Sequence, residues 1–353
     1  MASWEKIGLD KRRAFLEGPL LVLFLLHCLS VPALAQEFIR VLILDDQFNS
    51  MPRDGEKLKL MDKTEGKLLV ADHPYTGEIE VWKGKDKLYL IDQVGLEDYV
   101  KSVVKSEAGK DWDIEALKAQ AVASRTYALF RKLQNGQAKY DVVSSVLSQV
   151  FQGDVVDDKV AKAVEDTEGQ ILTYNGKPIE ALYHSTSEGQ TEDPVEVFGW
   201  SVPYLKPVKV KSDLSPYSIW ARKFSVGEIE DALKSGGISI NGIKDIRVRS
   251  HTVTGRVREL EITDENGSKT IVKATDLRKF MGWKRLPSTQ FKLDFSDGIV
   301  SLEGSGYGHG VGLCQWSALE MAREGKNYKE ILSYFYPGTQ LVKYGSQLTE
   351  QWK

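Results

Sequence analysis

The chain has 353 residues, 42% of them hydrophobic and 27% charged, with a formal net charge of −3. These values exclude a disordered chain and allow one sizeable core with a second, smaller one. A weakly acidic chain with no sustained Lys/Arg face gains little from counterion release, so nucleic acid is excluded as a partner.

Lys11, Arg12 and Arg13 precede an unbroken apolar run from Leu20 to Leu26, and Ala33-Leu34-Ala35 stands before Gln36. That order is the pattern of a secretory signal. A membrane span needs about 20 apolar residues, and His27, Ser30 and Pro32 interrupt this run early. Residues 1–35 therefore read as a cleaved signal that leaves no stable transmembrane anchor; retention as an anchor is the alternative. The expected location is secreted, in the periplasm or cell wall. The two cysteines are Cys28 and Cys314. His27 does not fit a lipid-attachment box before Cys28. With Cys28 gone, the mature chain has one thiol, no internal disulfide and no Cys-based structural zinc site.

Residues 36–93 read as a β-rich module. Strands are expected at Phe38–Leu44, Lys67–Val70, Glu78–Trp82 and Lys87–Ile91, with Lys83-Gly84-Lys85-Asp86 joining the last two. A short helix follows over Leu96–Ser106, because Leu96, Tyr99, Val100, Val103 and Val104 recur at helical spacing. Asp113 is the N-cap of a long Ala-rich helix. Its buried stripe is Leu117, Ala121, Val122, Ala128 and Leu129, and Arg125 falls within it. Lys159–Glu168 is a third helix, and Ile171–Tyr183 is a hairpin turning at Asn175-Gly176. The hairpin delivers the polar loop YHSTSEGQTED (Tyr183–Asp193), and Pro194–Pro207 holds Trp200 and Tyr204.

Residues 208–287 change character. A helix near Val226–Lys234, strands at Ile243–Ser250, Val257–Thr263 and Thr270–Ala274, and a helix at Thr275–Met281 suggest an α/β insertion. Residues 288–353 return to the core first built by 94–207. They comprise two strands (Phe291–Phe295 and Gly298–Glu303), the glycine-alternating stretch GSGYGHGVGLCQWSALEMAREG (Gly304–Gly325), and a last helix at Tyr328–Phe335. The fold class is therefore α+β: a mixed helical/β catalytic core with a β-rich N-terminal module and a small α/β insertion.

No Walker loop, H-E-x-x-H or G-x-S-x-G elbow is present, and the C-terminal glycines miss the G-x-G-x-x-G spacing. Asp45-Asp46 and Asp157-Asp158 lack the spacing of a calcium loop. No cofactor and no metal are expected. Three clusters could carry chemistry. Glu107 closes the first helix beside apolar neighbours, where a carboxylic acid can have a raised pKa and act as a general acid. A solvated helix-end Glu is the ordinary alternative. Arg125, in an apolar stripe, needs an anion, either Glu107, a substrate or a structural partner. Tyr183, His184, Ser185, Thr186 and Ser187 offer the donors and acceptors that suit a hydroxyl-rich ligand such as a sugar, or they make a polar turn. Tyr307, His309 and Gln315 lie where alternating glycines permit close approach of a ligand or of another segment. A hydrolase built on His184 or His309 is a weaker reading, because adjacent His184 and Ser185 on an extended chain point to opposite faces.

LEDYVKSVVKSEAGKDWDIEALKAQAVASRTYAL, YHSTSEGQTEDPVEVFGWSVPYLKPV, KFMGWKRLPSTQF and GSGYGHGVGLCQWSALEMAREGKNYKEILSYFYPGT occur here in that order. Together they resemble the SpoIID/LytB family of bacterial cell-wall proteins (stage II sporulation protein D and its relatives), over about Val94 to Gly338. The resemblance implies a peptidoglycan lytic transglycosylase that cleaves the MurNAc–GlcNAc bond of peptide-free glycan strands and leaves a 1,6-anhydro product. It implies that Glu107 is the catalytic acid and maps the family's helix arginine onto Arg125. Tyr183, His184, Ser185, Thr186, Ser187, Tyr307, His309 and Gln315 are the expected substrate-binding residues. Some sporulation members carry a Cys/His zinc site. The corresponding segments here hold no cysteine, so no metal is carried over. LytB-type relatives imply a second reading, a non-catalytic, glycan-binding enhancer whose partner is a cell-wall amidase.

Overall fold

The computed structural model describes residues 37–345, apart from 45–50, 54–55, 71, 110, 137, 146–147 and 155–156. The expected signal segment with Cys28, and the Asp45-Asp46 pair, lie outside the described residues.

The architecture is mixed α+β. Six strands come first: β1 (Phe38–Ile43), β2 (Lys59–Glu65), β3 (Leu68–Val70), β4 (His73–Tyr75), β5 (Glu78–Lys83) and β6 (Leu88–Gly95). Helices α1 (Leu96–Glu107) and α2 (Ile114–Asn135) follow, then β7 (Val142–Val143). A five-stranded sheet forms in the order β2-β5-β6-β1-β7. Its pairs are antiparallel except the parallel β1–β7 pair. Strand β2 was not expected from the sequence. Every residue of it is exposed, so it carries no apolar alternation and is specified only by pairing with β5. Helix α1 starts where β6 ends and lays Tyr99, Val100, Val103 and Val104 into the main core with no exposed surface. Burying a valine side chain contributes roughly 1.5–3 kcal/mol. The Asp113 carboxylate caps α2 by accepting the Glu115 N–H at 2.9 Å. The small side chains of Ala116, Ala119, Ala121, Ala123 and Ala128, all buried, let other elements pack closely around α2.

Next come α3 (Asp158–Asp166), β8 (Gln170–Tyr174), β9 (Lys177–Pro178), β10 (Tyr183–His184), β11 (Gly189–Gln190), α4 (Pro194–Phe198) and β12 (Lys209–Val210). The hairpin turn at Asn175-Gly176 has φ of 50° and 76°, as its residue types predict. A second core then gathers β13 (Trp220–Ser225), α5 (Val226–Ser235), β14 (Ile243–His251), β15 (Val257–Asp264), β16 (Lys269–Lys273), α6 (Ala274–Met281), β17 (Phe291–Ser296) and β18 (Ile299–Gly304). The sequence suggests that this insertion ends at Pro287. The packing carries it further, because β17 and β18 form one sheet with β13, and Phe291, Val300 and Leu302 belong to the same cluster as Trp220 and Phe224. Strand spacing alone does not say which earlier strand a later one joins.

The chain then returns to the main core through β19 (Leu313–Cys314), α7 (Gln315–Arg323), α8 (Tyr328–Phe335) and β20 (Gln340–Lys343). Strand β19 pairs in parallel with β10, and β20 pairs with β8. The short β10–β19 pair brings the polar loop and the glycine-rich stretch side by side.

Candidate active site

Glu107 is the last residue of α1; Ala108 leaves the helix in an extended conformation. The turn after it is pinned by Trp112, which meets Trp316 of α7 edge to face with centroids 5.2 Å apart. This contact ties the end of α1 to the start of α7. Glu107 Oε1 accepts the Val150 N–H at 3.0 Å, and Oε2 accepts from Gln315 Nε2 at 3.4 Å. The Gln315 amide also donates to Gln120 Oε1 of α2. Burial pushes the Glu107 carboxyl above its ordinary value of 4.5, against the opposing pull of these two donors. Burial of this kind favours the protonated acid.

The carboxyl opens onto a cleft of about 550 Å³. Tyr183, His184, Ser185, Tyr307, His309 and Gln315 line it, so six of the eight expected binding residues gather around Glu107. The Tyr183 hydroxyl accepts from Gln149 Nε2 at 3.0 Å, and the Gln149 carbonyl in turn accepts from Tyr99 at 2.8 Å. His184 and His309 lie with ring centroids 5.6 Å apart. Burial, with Arg278 nearby, lowers His309 to about 3. His184 is also driven well below its ordinary value, first by burial and then by His309 and Arg256. Both rings are neutral at neutral pH.

The glycines explain how the two segments come so close. Gly312 has φ of 74°, and a Cβ there would sit 2.0 Å from the Leu182 carbonyl oxygen. Gly308 has φ of 114°, and a Cβ would sit 2.8 Å from that of His184. Any other residue would be strained and would push β19 off β10.

Three expected site residues lie elsewhere. Arg125 does not reach Glu107. Its Nε and Nη2 bind Glu97 of α1 bidentately at 2.9 and 2.6 Å, and Nη1 donates to the Gln170 carbonyl at 3.0 Å. It is fully buried, its charge is paired with Glu97, and it does not line the cleft. The physical reason is spacing. Glu97 lies on the first turn of α1 and faces Arg125, whereas Glu107 lies at the far end of the helix. Thr186 is turned inward, its hydroxyl 2.7 Å from that of Ser215, while its backbone pairs with Tyr307. Ser187 is also fully buried, with its hydroxyl 2.6 Å from His184 Nε2 and accepting from Arg256 Nη2 at 2.7 Å. A His184–Ser187 pair exists, but the serine has no exposed surface with which to meet a substrate. Cys314 is free and buried, and its Sγ accepts the Ser187 N–H at 3.3 Å.

The cleft also holds residues not expected from the sequence. Phe198 and Trp200 stack at 5.5 Å with planes 13° apart, and the edge of Phe198 meets His309. Tyr127, Arg131 and Glu180 line one side. Burial raises the Glu180 carboxyl, opposed by Arg131. The insertion supplies Thr275, Asp276, Arg278, Lys279 and Trp283. Trp200 and Trp283 each follow a glycine of positive φ, Gly199 at 82° and Gly282 at 90°, and that turn glycine is the local signal they carry. Among the described residues, no group of three or more His, Cys, Asp and Glu side chains could hold a metal ion, and no helix is long and apolar enough to cross a membrane.

Residues 84–174 match the family described as stage II sporulation protein (SpoIID), and residues 155–312 match a domain of unknown function, DUF8618. The chain is 34% identical to stage II sporulation protein D of Bacillus amyloliquefaciens, over 74% of this chain and 78% of that one. It is 32% identical to an uncharacterized protein of Brachyspira hyodysenteriae, over 76% and 73% of the two chains. It is 30% identical to the amidase enhancer of Bacillus subtilis (strain 168), over 69% of this chain and 40% of that longer protein. These similarities support a cell-wall-related function. The chain belongs to the stage II sporulation protein D family.

Proposed function

We propose that this protein is a peptidoglycan lytic transglycosylase with Glu107 as its single acid/base. The observation that carries the reading is the Glu107 carboxyl itself. Burial holds it toward the protonated form, and it sits on a cleft lined by hydroxyls and by the Phe198–Trp200 stack. Apolar ring faces suit the C–H faces of a sugar, and the hydroxyls suit its oxygens. Protonated Glu107 donates to the glycosidic oxygen between muramic acid and glucosamine. The C1–O bond breaks, and C1 gains oxocarbenium character. The Glu107 carboxylate then takes the proton of the muramic acid 6-hydroxyl as that oxygen bonds to C1. The anhydro ring closes, the acid is regenerated, and no water is consumed. One carboxyl suffices, unlike the two-carboxylate glycosidases. Gln315 and the Val150 N–H hold Glu107 in place, and the N-terminal segment would direct the protein to the cell exterior.

The test is to incubate purified protein with peptide-free glycan strands and resolve the products by mass spectrometry. The expected products carry 1,6-anhydro ends and vanish in Glu107→Gln. General acid catalysis contributes about 10²–10⁴-fold, so at least a hundredfold loss is expected. Reducing ends with water incorporated would point instead to hydrolysis assisted by Glu180. Full activity in Glu107→Gln would remove the reading. A second reading, a non-catalytic glycan-binding protein that stimulates a cell-wall amidase, is favoured by the similarity to the amidase enhancer. It gains if the protein binds strands without making new ends and accelerates a purified amidase.

A further inference from the structure

The insertion brings into the cleft a cation that forms no ion pair among the described residues. Arg278 of α6 is only 8% exposed, yet it lines the cleft beside Trp283, Tyr307 and His309. Its Nε donates to the Leu286 and Pro287 carbonyls at 3.0 and 3.1 Å, and its guanidinium lies 4.6 Å from the Trp283 ring centroid. These contacts fix the plane of the group and leave Nη1 and Nη2, with their four N–H donors, without a protein partner among the described residues. The groups whose charge acts on Arg278 are the Tyr307 hydroxyl and a second cation, Arg256. Neither supplies a negative charge at neutral pH, since burial raises Tyr307 above its ordinary 10.

The other arginines near the cleft differ. Arg125 holds Glu97, Arg256 holds Ser187 and lies 4.0 Å from Glu192, and Arg131 acts on Glu180. Lys279 lines the cleft but is exposed and hydrated. A buried cation with no counter-ion is costly, and a guanidinium with both terminal nitrogens free presents the fork that matches a carboxylate.

We propose that Arg278 is the specificity-determining residue of the cleft, receiving the free lactyl carboxylate of a muramic acid that carries no stem peptide. This rests on the glycan reading given above. A stem peptide converts that carboxylate into a neutral amide, which removes the charge and adds bulk at the insertion wall. The insertion would then select glycan strands already stripped of peptide.

The test reads binding on the full chain carrying Glu107→Gln, so that cleavage plays no part. Isothermal titration calorimetry compares a tetrasaccharide of alternating N-acetylglucosamine and N-acetylmuramic acid with free lactyl carboxylates against the same tetrasaccharide with those groups as methyl amides. The free acid should bind at least about tenfold tighter, which is about 1.4 kcal/mol. Adding Arg278→Met should bring the two ligands within about twofold of each other. Arg278→Lys, which keeps the charge and loses the fork, should cut the preference by at least about threefold, and it decides the matter if the Met variant does not fold by circular dichroism. Equal affinities in the parent, or a preference unchanged in either variant, would overturn the proposal. Loss of the preference with anhydro ends still formed by the native protein removes this subsite alone. A preference that persists where no anhydro ends form leaves the subsite standing and removes the transglycosylase.

Discussion

Glu97→Gln should destabilise this protein without touching the cleft. Arg125 has no exposed surface, and Glu97 supplies both of its short charge-assisted hydrogen bonds, at 2.9 and 2.6 Å. The remaining acceptors are the carbonyls of Gln170 and, at 3.5 Å, Val164. Gln at position 97 offers one oxygen and no charge, so a guanidinium stays buried without an anion. Breaking a buried pair from one side costs about 3–5 kcal/mol. For a chain of this size that is on the order of 6–15 °C in melting temperature. Arg125→Met should cost less, because Glu97 is partly exposed and recovers water. The double variant Glu97→Met/Arg125→Met should be less destabilised than the sum of the singles, since it leaves no orphaned charge. Urea and thermal unfolding measure these differences, and glycan cleavage assayed well below the lowest melting temperature separates stability from chemistry. An unchanged melting temperature in Glu97→Gln would show that the buried pair adds nothing to stability. Full stability with loss of cleavage in Arg125→Met would show that Arg125 acts in the reaction instead.

Three further outcomes follow from the same geometry. Cleavage should need protonated Glu107, so kcat/KM should fall as pH rises through its elevated pKa. Gln315→Leu removes a donor that favours the carboxylate, so that alkaline limb should move to higher pH; a downward move, or no limb, would contradict the assignment. Asp92 is 1% exposed, neither oxygen has a hydrogen-bond partner among the described residues, and burial together with Asp154 raises it from 3.8 to about 7. A carboxyl raised on folding favours the fold below its unfolded pKa and loses that contribution as pH climbs to its folded value. At about 1.4 kcal/mol per pH unit, Asp92→Asn should be more favourable at pH 8 than at pH 4 by up to about 4 kcal/mol, read from urea unfolding at both values. A pH-independent difference would show that Asp92 is solvated or paired. Gly312→Ala should cost more than about 2 kcal/mol, from positive φ and the clash with the Leu182 carbonyl, and should lower activity by moving Gln315 away from Glu107. A variant with native stability would show that β19 can shift freely.

Local patterns carried much of the architecture. The helical spacing of Tyr99, Val100, Val103 and Val104, the Asp113 cap and the Asn175-Gly176 turn each act within a few residues, and each appears where the pattern puts it. Strand β2 has no such pattern, because all of its residues are exposed. Which strands join β13 is not legible in the sequence, because β17 and β18 look alike whether they pair with β13 or with the main core. Among site residues, the polar loop and the glycine stretch were legible as unusual composition, yet their division into cleft-facing Ser185 and inward Thr186 and Ser187 was not. That division depends on a backbone bridge to Tyr307, more than a hundred residues away in sequence.

Arg125 and Arg278 mark the boundary between the two kinds of information. The sequence by itself determines that Arg125 is buried and must meet an anion, because an arginine within an apolar helical stripe has no route to water. It equally determines that Glu107 closes α1, since the apolar repeat stops there. Which carboxylate Arg125 meets, and which cation faces the cleft without one, are decided only by tertiary structure. Helix α1 crosses α2 so that Glu97 comes opposite Arg125, and the second core sets Arg278 beside Tyr307 and His309. Electrostatic partnership falls off over a few ångströms of space and is indifferent to distance along the chain. Partners are therefore assigned only once the two cores have packed.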